Sequence, residues 1–313
     1  MKEKPKLPPR RPAHSILILE GASPTFEGRS IEISPSFSLN KIDQAFVDNL
    51  RKLGVSNVDS LVGDCKLCIQ ICGTDSTEDL MRPTALQSAL LLASDVRAQE
   101  KSHIIMEIGE KGEGRNITAT NLPARGTILW GHHRAELNLE DLESAKRLLP
   151  RVEALEAQEK FSRVGNALLF YRNGCNSDNP DLALMAFATC LESIFSTAEQ
   201  ELSYRLSLRV ATFLADKNTD RQELFQECKE VYKIRSKVVH GAAISRDSEQ
   251  AAIYLVDSIV PQAERLARRS LAKVLDMNLE SLFENAGKLN SLFDRLLFSE
   301  SLGNALAEIQ GKK

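Results

Sequence analysis

The chain lacks the features that mark several large classes of protein. Its apolar segments stay well short of the roughly 18 consecutive apolar residues that a membrane helix needs, so we expect no membrane span. Its six Cys residues, spread from Cys65 to Cys228, are too sparse for a disulfide framework in 313 residues. We therefore expect a protein of the reducing cytoplasm.

The chain also lacks a strong charge of either sign. Its 40 Lys and Arg residues nearly balance 43 Asp and Glu residues, which leaves a net charge of −3. Such a balance gives no general attraction to nucleic acid, so any affinity for RNA has to come from a local basic patch. The glycine-rich stretch GEKGEG lacks the strand–loop–helix context and the Lys-Ser/Thr pair of a phosphate-binding loop, so we expect no nucleotide site.

One group of Cys residues has the spacing of half a zinc site. Cys65, Cys68 and Cys72 lie close together, and His132 and His133 are the residues that would complete the site. Apolar residues alternate with the others between positions 67 and 72, however, and this pattern is typical of a half-buried strand. We expect no metal and no cofactor.

The length predicts one large or two ordinary domains, and the patterning predicts an α+β protein. The chain begins with a small mixed domain and continues with a helical bundle. We predict four segments: a basic, proline-rich tail at 1–14, a mixed α+β domain of unknown family at 15–137, a helical domain at 138–277 and a C-terminal helical extension at 278–313.

The mixed domain alternates short strand patterns with two helices. One helix is predicted at 40–53 with Asn40 as its N-cap, and the other at 84–97. Predicted strands are short and β-branched or alternating, and they lie at 15–20, 29–34, 65–72, 103–108, 116–120 and 127–130.

The helical part begins at Asn138, a good N-cap, and Pro150 is predicted to break or kink this first helix. Residues 181–197 are apolar nearly all round and predict the buried central helix, in which Glu192 is a lone acid that could neutralise Arg235 or Arg209. Residues 278–298 predict an amphipathic helix whose apolar face should pack on the N-terminal domain or on a second subunit. A basic face is expected on the helix before it, from Arg265, Arg268, Arg269 and Lys273.

The most informative stretch is LFQECKEVYKIRSKVVHG at 224–241, which reads as one amphipathic helix ending at Gly241. Arg235 occupies a position in its apolar row, where an unpaired charge is costly. His240 follows five residues later, in the last turn. An Arg in such a row can also extend its stem along the surface or pair with a buried acid, and a His at a helix end is favoured by the helix dipole alone.

The segment YKIRSKVVHG, together with the preceding DLALMAFATCLESIFS and ELSYRLSLRVATFLA, resembles the HEPN superfamily, and within it the Apea-like HEPN domains. The resemblance covers about residues 151–273. HEPN ribonucleases carry an R-x4-6-H motif at this helix end, which implies that Arg235 and His240 are catalytic. The residue after the Arg is often Asn, Asp or His in active members, whereas Ser236 stands here. A non-catalytic HEPN module for RNA binding or dimerisation therefore stays open.

The resemblance implies a metal-independent endoribonuclease that works as a homodimer, of the kind found in prokaryotic defence and toxin systems. The 2′-hydroxyl of RNA attacks its own phosphate, a His moves the protons, and an Arg stabilises the charge on the phosphate. We expect RNA contacts from Lys229, Lys233, Ser236 and Lys237, although these lysines also fit the solvated face of an amphipathic helix. The N-terminal domain is the expected site for a protein trigger or regulator.

Overall fold

The computed structural model describes residues 13–34, 37–74, 83–94, 99–108, 114–121, 136–158, 162–197, 202–215, 218–241, 248–298 and 302–309. Among these residues, the contacts divide the chain into two compact units. The first runs to Leu149 and the second continues from Pro150. An antiparallel sheet lies in the first unit and helices make up the second, so the predicted α+β class is confirmed.

The first unit is built on a six-stranded antiparallel sheet in the order β3-β4-β5-β1-β6-β7. Two further short strands, β2 and β8, pair in parallel. The strands are β1 Ala13–Glu20, β2 Ser23–Pro24, β3 Ser30–Ser34, β4 Phe37–Lys41, β5 Leu67–Thr74, β6 Gln99–Ile108, β7 Gly114–Asn121 and β8 Glu136–Leu137. The predicted strand at 127–130 lies outside the described residues.

Strand β1 is central in this sheet, and its residues 16–19 are buried. Helices α1 (Gln44–Lys52) and α2 (Val58–Val62) supply buried side chains to one core cluster with Ile16 and Ile18, and α3 (Pro83–Ala93) is also largely buried. The prediction of Asn40 as a helix N-cap was wrong. Asn40 belongs to β4, where its amide donates to Ser38 and Gln70, and Asp43 caps α1 by accepting from the Phe46 amide.

From residue 139 onward the described part of the chain is mostly helical. The bounds of its helices are α4 Leu139–Glu156, α5 Arg163–Cys175, α6 Pro180–Phe195, α7 Leu202–Leu214, α8 Asn218–Val239, α9 Glu249–Tyr254, α10 Val260–Asp276, α11 Glu280–Phe283, α12 Ala286–Phe298 and α13 Leu302–Ile309. Among the described helices, none combines the length and the apolar character required to cross a membrane.

Helix α4 confirms the predicted N-cap, and of the break or kink predicted at Pro150 it excludes the break. The side-chain oxygen of Asn138 accepts from the Asp141 backbone amide, and the Asp141 carboxylate accepts from the Asn138 backbone amide. Each side chain thus provides an acceptor for a backbone N–H at the start of the helix. The helix does not end at Pro150 but continues to Glu156. The next helix begins at Arg163, with the Ser162 hydroxyl as its cap.

Helix α6 is the buried centre of the second unit, as predicted, although Leu182 in its first turn is 62% exposed. At its other end Phe195 packs edge-on against Phe213, Phe283 and Phe293, with ring centroids 5.6 to 6.0 Å apart. The segment predicted as a single helix at 278–298 forms two helices, α11 and α12. The apolar face of this segment packs inside the second unit. Phe283 and Phe293 on this face are buried against Phe195 and Phe213 of the same unit, whereas the sequence predicted the N-terminal domain or a second subunit as the packing partner.

Candidate functional site

Arg235 is paired with an acid of its own protomer. It lies near the end of the 22-residue helix α8, and its Nη2 is 3.0 Å from Oε1 of Glu192 on α6. Both side chains are half-buried, 22% and 19% exposed. The sequence left two explanations for an Arg in an apolar row: a stem extended along the surface, or a pair with a buried acid. The structure shows the pair. The Nε atom of Arg235 is buried and has no acceptor among the described residues.

Glu192 occupies an environment that opposes its charge. Burial raises the pKa of Glu192, and the nearby Arg235 and the hydroxyl of Tyr232 counteract only part of this effect. That hydroxyl donates to the Ala188 carbonyl oxygen of α6 at 3.1 Å. Burial also raises the pKa of Tyr232, and Glu192 adds to the increase. Glu192, Tyr232 and Arg235 therefore form one polar group where α6 meets α8.

His240 is exposed at the end of α8. Its amide donates to the Ser236 carbonyl oxygen at 3.1 Å, so helical hydrogen bonding continues to this residue. Gly241 follows with φ of +93°, a conformation that favours glycine, and its amide donates to the Val238 carbonyl oxygen. The predicted helix end is confirmed.

Arg235 and His240 point in different directions within one protomer. Five residues of an α-helix turn through about 500°, which leaves the two side chains about 140° apart around the axis. The contacts agree, because Arg235 reaches the buried helix α6 while His240 is exposed. A single protomer does not place both side chains on one phosphate.

The predicted RNA-binding residues Lys229, Lys233, Ser236 and Lys237 are all exposed on α8. On an ideal helix each of them lies within about 60° of the direction of His240. The ammonium of Lys233 is 3.1 Å from Glu230, and that of Lys229 lies 5.8 Å from the centroid of the Phe225 ring. The structure therefore puts these four residues and His240 on one side of α8, with Arg235 on another.

Three of the four cations on the basic face predicted for α10 have partners within the helical unit, whereas the fourth, Arg269, is exposed. Arg265 pairs with Glu227 at 2.7 Å, Arg268 pairs with Glu264 at 3.1 Å, and Lys273 donates to the Phe213 carbonyl oxygen at 2.8 Å. The contacts of Arg265, Arg268 and Lys273 all lie within the helical unit. The spacing of charges along one helix cannot reveal such partners.

Two arginines hold the end of α6: Arg209, which the sequence offered as a partner of Glu192, and Arg163, which the sequence analysis did not single out. Arg209 is 8% exposed and donates to the Phe195 carbonyl oxygen and to Asn290, both at 2.6 Å. Arg163 donates to the carbonyl oxygens of Ser193, Ile194 and Ser196. Of the two arginines predicted as partners of Glu192, Arg235 forms the pair. Arg209 instead donates to a carbonyl oxygen at the C-terminal end of α6. Only the apolar residues around Arg209 in SLRVATF signal that it is buried.

The strand predicted at 65–72 is β5, which begins at Leu67, so it contains Cys68 and Cys72 while Cys65 precedes it. Cys65 and Cys68 are buried, and burial raises the pKa of Cys68. The Cys72 side chain, His132 and His133 lie outside the residues whose side chains the structure describes. Within the described part of the chain, no group of three or more His, Cys, Asp or Glu residues is arranged to hold a metal ion.

Comparisons with known proteins give no independent assignment: no family model matches the chain, and neither a curated protein nor a solved structure shows significant similarity to it.

Proposed function

We propose that the helical unit is a HEPN-like, metal-independent endoribonuclease with Arg235 and His240 as its catalytic residues. The observation that carries the proposal is the exposure of His240 on the same side of α8 as Lys229, Lys233 and Lys237. Lysine side chains attract the phosphates of RNA, and an imidazole can transfer protons in catalysis. A strand held along these lysines passes the imidazole at the end of the helix.

In the proposed reaction, His240 takes the proton of a ribose 2′-hydroxyl as this oxygen attacks the adjacent phosphorus. The bond from phosphorus to the 5′-oxygen breaks and a solvent water protonates that oxygen, while His240 returns its proton to solvent. The products are a 2′,3′-cyclic phosphate and a 5′-hydroxyl. Arg235 stabilises the charge on the phosphate through two N–H donors. The phosphate then competes with Glu192 for the guanidinium.

The proposal requires two copies of the chain. Because Arg235 and His240 diverge by about 140° around α8, the Arg of one protomer must meet the His of another. In this proposal the protein works in the cytoplasm, and its N-terminal unit receives a protein trigger or regulator, as in a prokaryotic defence or toxin system. Three buried thiols, Cys68, Cys190 and Cys228, are compatible with a reducing compartment.

The test is cleavage of a labelled RNA in the presence of EDTA. We expect products that end in a 2′,3′-cyclic phosphate, and a loss of at least about 100-fold in rate for Arg235→Ala and for His240→Ala. Lys288→Ala, an exposed change on α12, is the control and should retain the wild-type rate. Cleavage that survives both site changes would rule the proposal out.

The Arg235–Glu192 pair favours a second candidate, a non-catalytic HEPN-like module that binds RNA. A guanidinium that already has an internal counter-charge can serve the packing of α8 on α6 alone. In this case the protein binds RNA but shows no turnover at any pH, and His240→Ala leaves binding unchanged. The same cleavage assay, combined with a binding assay, separates the two candidates.

A further inference from the structure

A small aromatic group lies on the surface next to the lysines of α8. Tyr204 of α7 is 55% exposed, and its ring lies edge-on to Phe225 of α8, with centroids 5.6 Å apart. The ammonium of Lys229 lies 5.8 Å from the centroid of the same Phe225 ring. Tyr204, Phe225 and Lys229 thus form one continuous aromatic and cationic surface, which we call the aromatic platform.

The aromatic platform begins a row that leads toward His240. Phe225, Lys229, Lys233 and Lys237 follow one another at intervals of four residues. Four residues advance about 6 Å along an α-helix and turn by about 40° beyond a full turn, so the row follows a shallow spiral on the surface of α8. Lys229 and Lys237 form no ion pair with a carboxylate among the described residues.

We propose that the aromatic platform binds an unpaired base of single-stranded RNA, while Lys229, Lys233 and Lys237 bind the phosphates that follow it. This inference rests on the proposed action on RNA and adds the preferred form of the substrate. An exposed aromatic ring next to a row of cations combines the two elements by which proteins bind single strands: base stacking and attraction of the backbone. In a duplex the bases are stacked on each other and do not reach the ring of Tyr204.

The Tyr204 ring supplies the face for stacking, and Phe225 supports its orientation through the edge-on contact. Tyr204 has a large exposed area available for a base, whereas Phe225 is half-buried and already contacts Lys229. Stacking depends on the ring and does not need the hydroxyl. Tyr204→Phe should therefore bind RNA as the wild type does.

The experiment measures binding of the full chain to a fluorescent, 2′-O-methylated single strand, which cannot be cleaved by 2′-hydroxyl attack, and to its duplex. We expect tighter binding of the single strand. Tyr204→Ala should weaken that binding about 5- to 100-fold, Tyr204→Phe should have no effect, and duplex binding should be unchanged. Lys229→Ala should weaken binding and reduce its dependence on salt, whereas Lys288→Ala on α12 should do neither.

A second measurement does not depend on any variant. A 5-iodouracil in the single strand, irradiated on the wild-type protein, should cross-link to Tyr204, and mass spectrometry locates the adduct. Single-strand binding that is insensitive to Tyr204→Ala, with cross-links elsewhere, overturns the platform but leaves the proposed function intact. Wild-type protein that binds neither form of RNA overturns both, and preferential capture by anionic lipid vesicles would identify a membrane surface as the partner instead.

Discussion

Glu192 has a double role at the residue scale, as the counter-charge of Arg235 and as an acid whose ionisation the fold disfavours. Burial has the larger effect, so the pKa of Glu192 lies above its ordinary value in the folded protein. The carboxyl group therefore contributes its full stabilisation below the unfolded-state pKa of about 4.3. This contribution is lost as the pH rises through the raised pKa of the folded state.

Glu192→Gln tests this balance, because the amide stays neutral at every pH. The variant should gain stability relative to the wild type as the pH rises from about 4 to 7. Urea unfolding of both proteins at several pH values gives the difference in their free energies of unfolding. A variant that loses stability relative to the wild type over the same interval would show that the ion pair with Arg235 outweighs burial.

Gly174 gives a second prediction at this scale. A Cβ atom at this position of α5 would lie 2.5 Å from Cε1 of Phe187, a ring that is fully buried. Gly174→Ala should therefore lower the free energy of unfolding by about 1–3 kcal/mol. Gly287→Ala is the matched control on α12, where the nearest atom is 3.3 Å away, and alanine should be neutral or up to about 1 kcal/mol stabilising. Equal effects in thermal or urea unfolding would contradict the predicted clash.

At the scale of elements, the end of α6 depends on cations from α5 and α7. Arg163 and Arg209 donate to the last carbonyl oxygens of this helix, and Arg209 also lies 5.1 Å from the centroid of the Phe293 ring. Carbonyl groups at a helix C-terminus carry partial negative charge and lack partners within the helix. The two arginines supply both the donors and the positive charge.

Arg209→Met tests this arrangement. The change keeps an apolar stem of similar length but leaves the Phe195 carbonyl oxygen without its donor and Asn290 with only the Thr197 hydroxyl. The free energy of unfolding should therefore fall by about 1–3 kcal/mol. Arg205→Met, an exposed change one turn earlier on α7, should stay within about 0.5 kcal/mol of the wild type. Urea unfolding provides the comparison, and two equal losses would contradict the assigned role of Arg209.

At the scale of the whole molecule, the proposed catalysis depends on a site shared by two protomers. The prediction is that mixing inactive Arg235→Ala and His240→Ala proteins restores cleavage. About half of the re-formed dimers combine one chain of each kind, and each of these has one intact Arg–His site out of two, so the mixture should reach about a quarter of the wild-type rate. Unfolding and refolding the two variants together ensures exchange of the chains. No recovery, with mixed dimers demonstrated by differently tagged chains, would contradict the shared site.

Much of the architecture was predictable from local patterns. Helix ends at Asn138 and Gly241 follow from side-chain capping and from a left-handed glycine, which depend only on neighbouring residues. The N-cap predicted at Asn40 failed because that residue pairs with Ser38 and Gln70 in the sheet. Pro150 failed to end α4 because packing can outweigh the local cost of a proline, and Leu149 and Val152 on either side of it are buried.

The sequence by itself determined which residues carry charge or chemistry and where the turns of each helix place them. It put Arg235 in an apolar row and separated it from His240 by a fixed rotation, because helical periodicity is a property of the chain alone. Only the tertiary structure decided that Glu192 is the partner of Arg235, that Arg265 of α10 pairs with Glu227, and that Phe293 of α12 packs against Phe195. Such pairings join residues distant in sequence, and burial and packing across several helices select them.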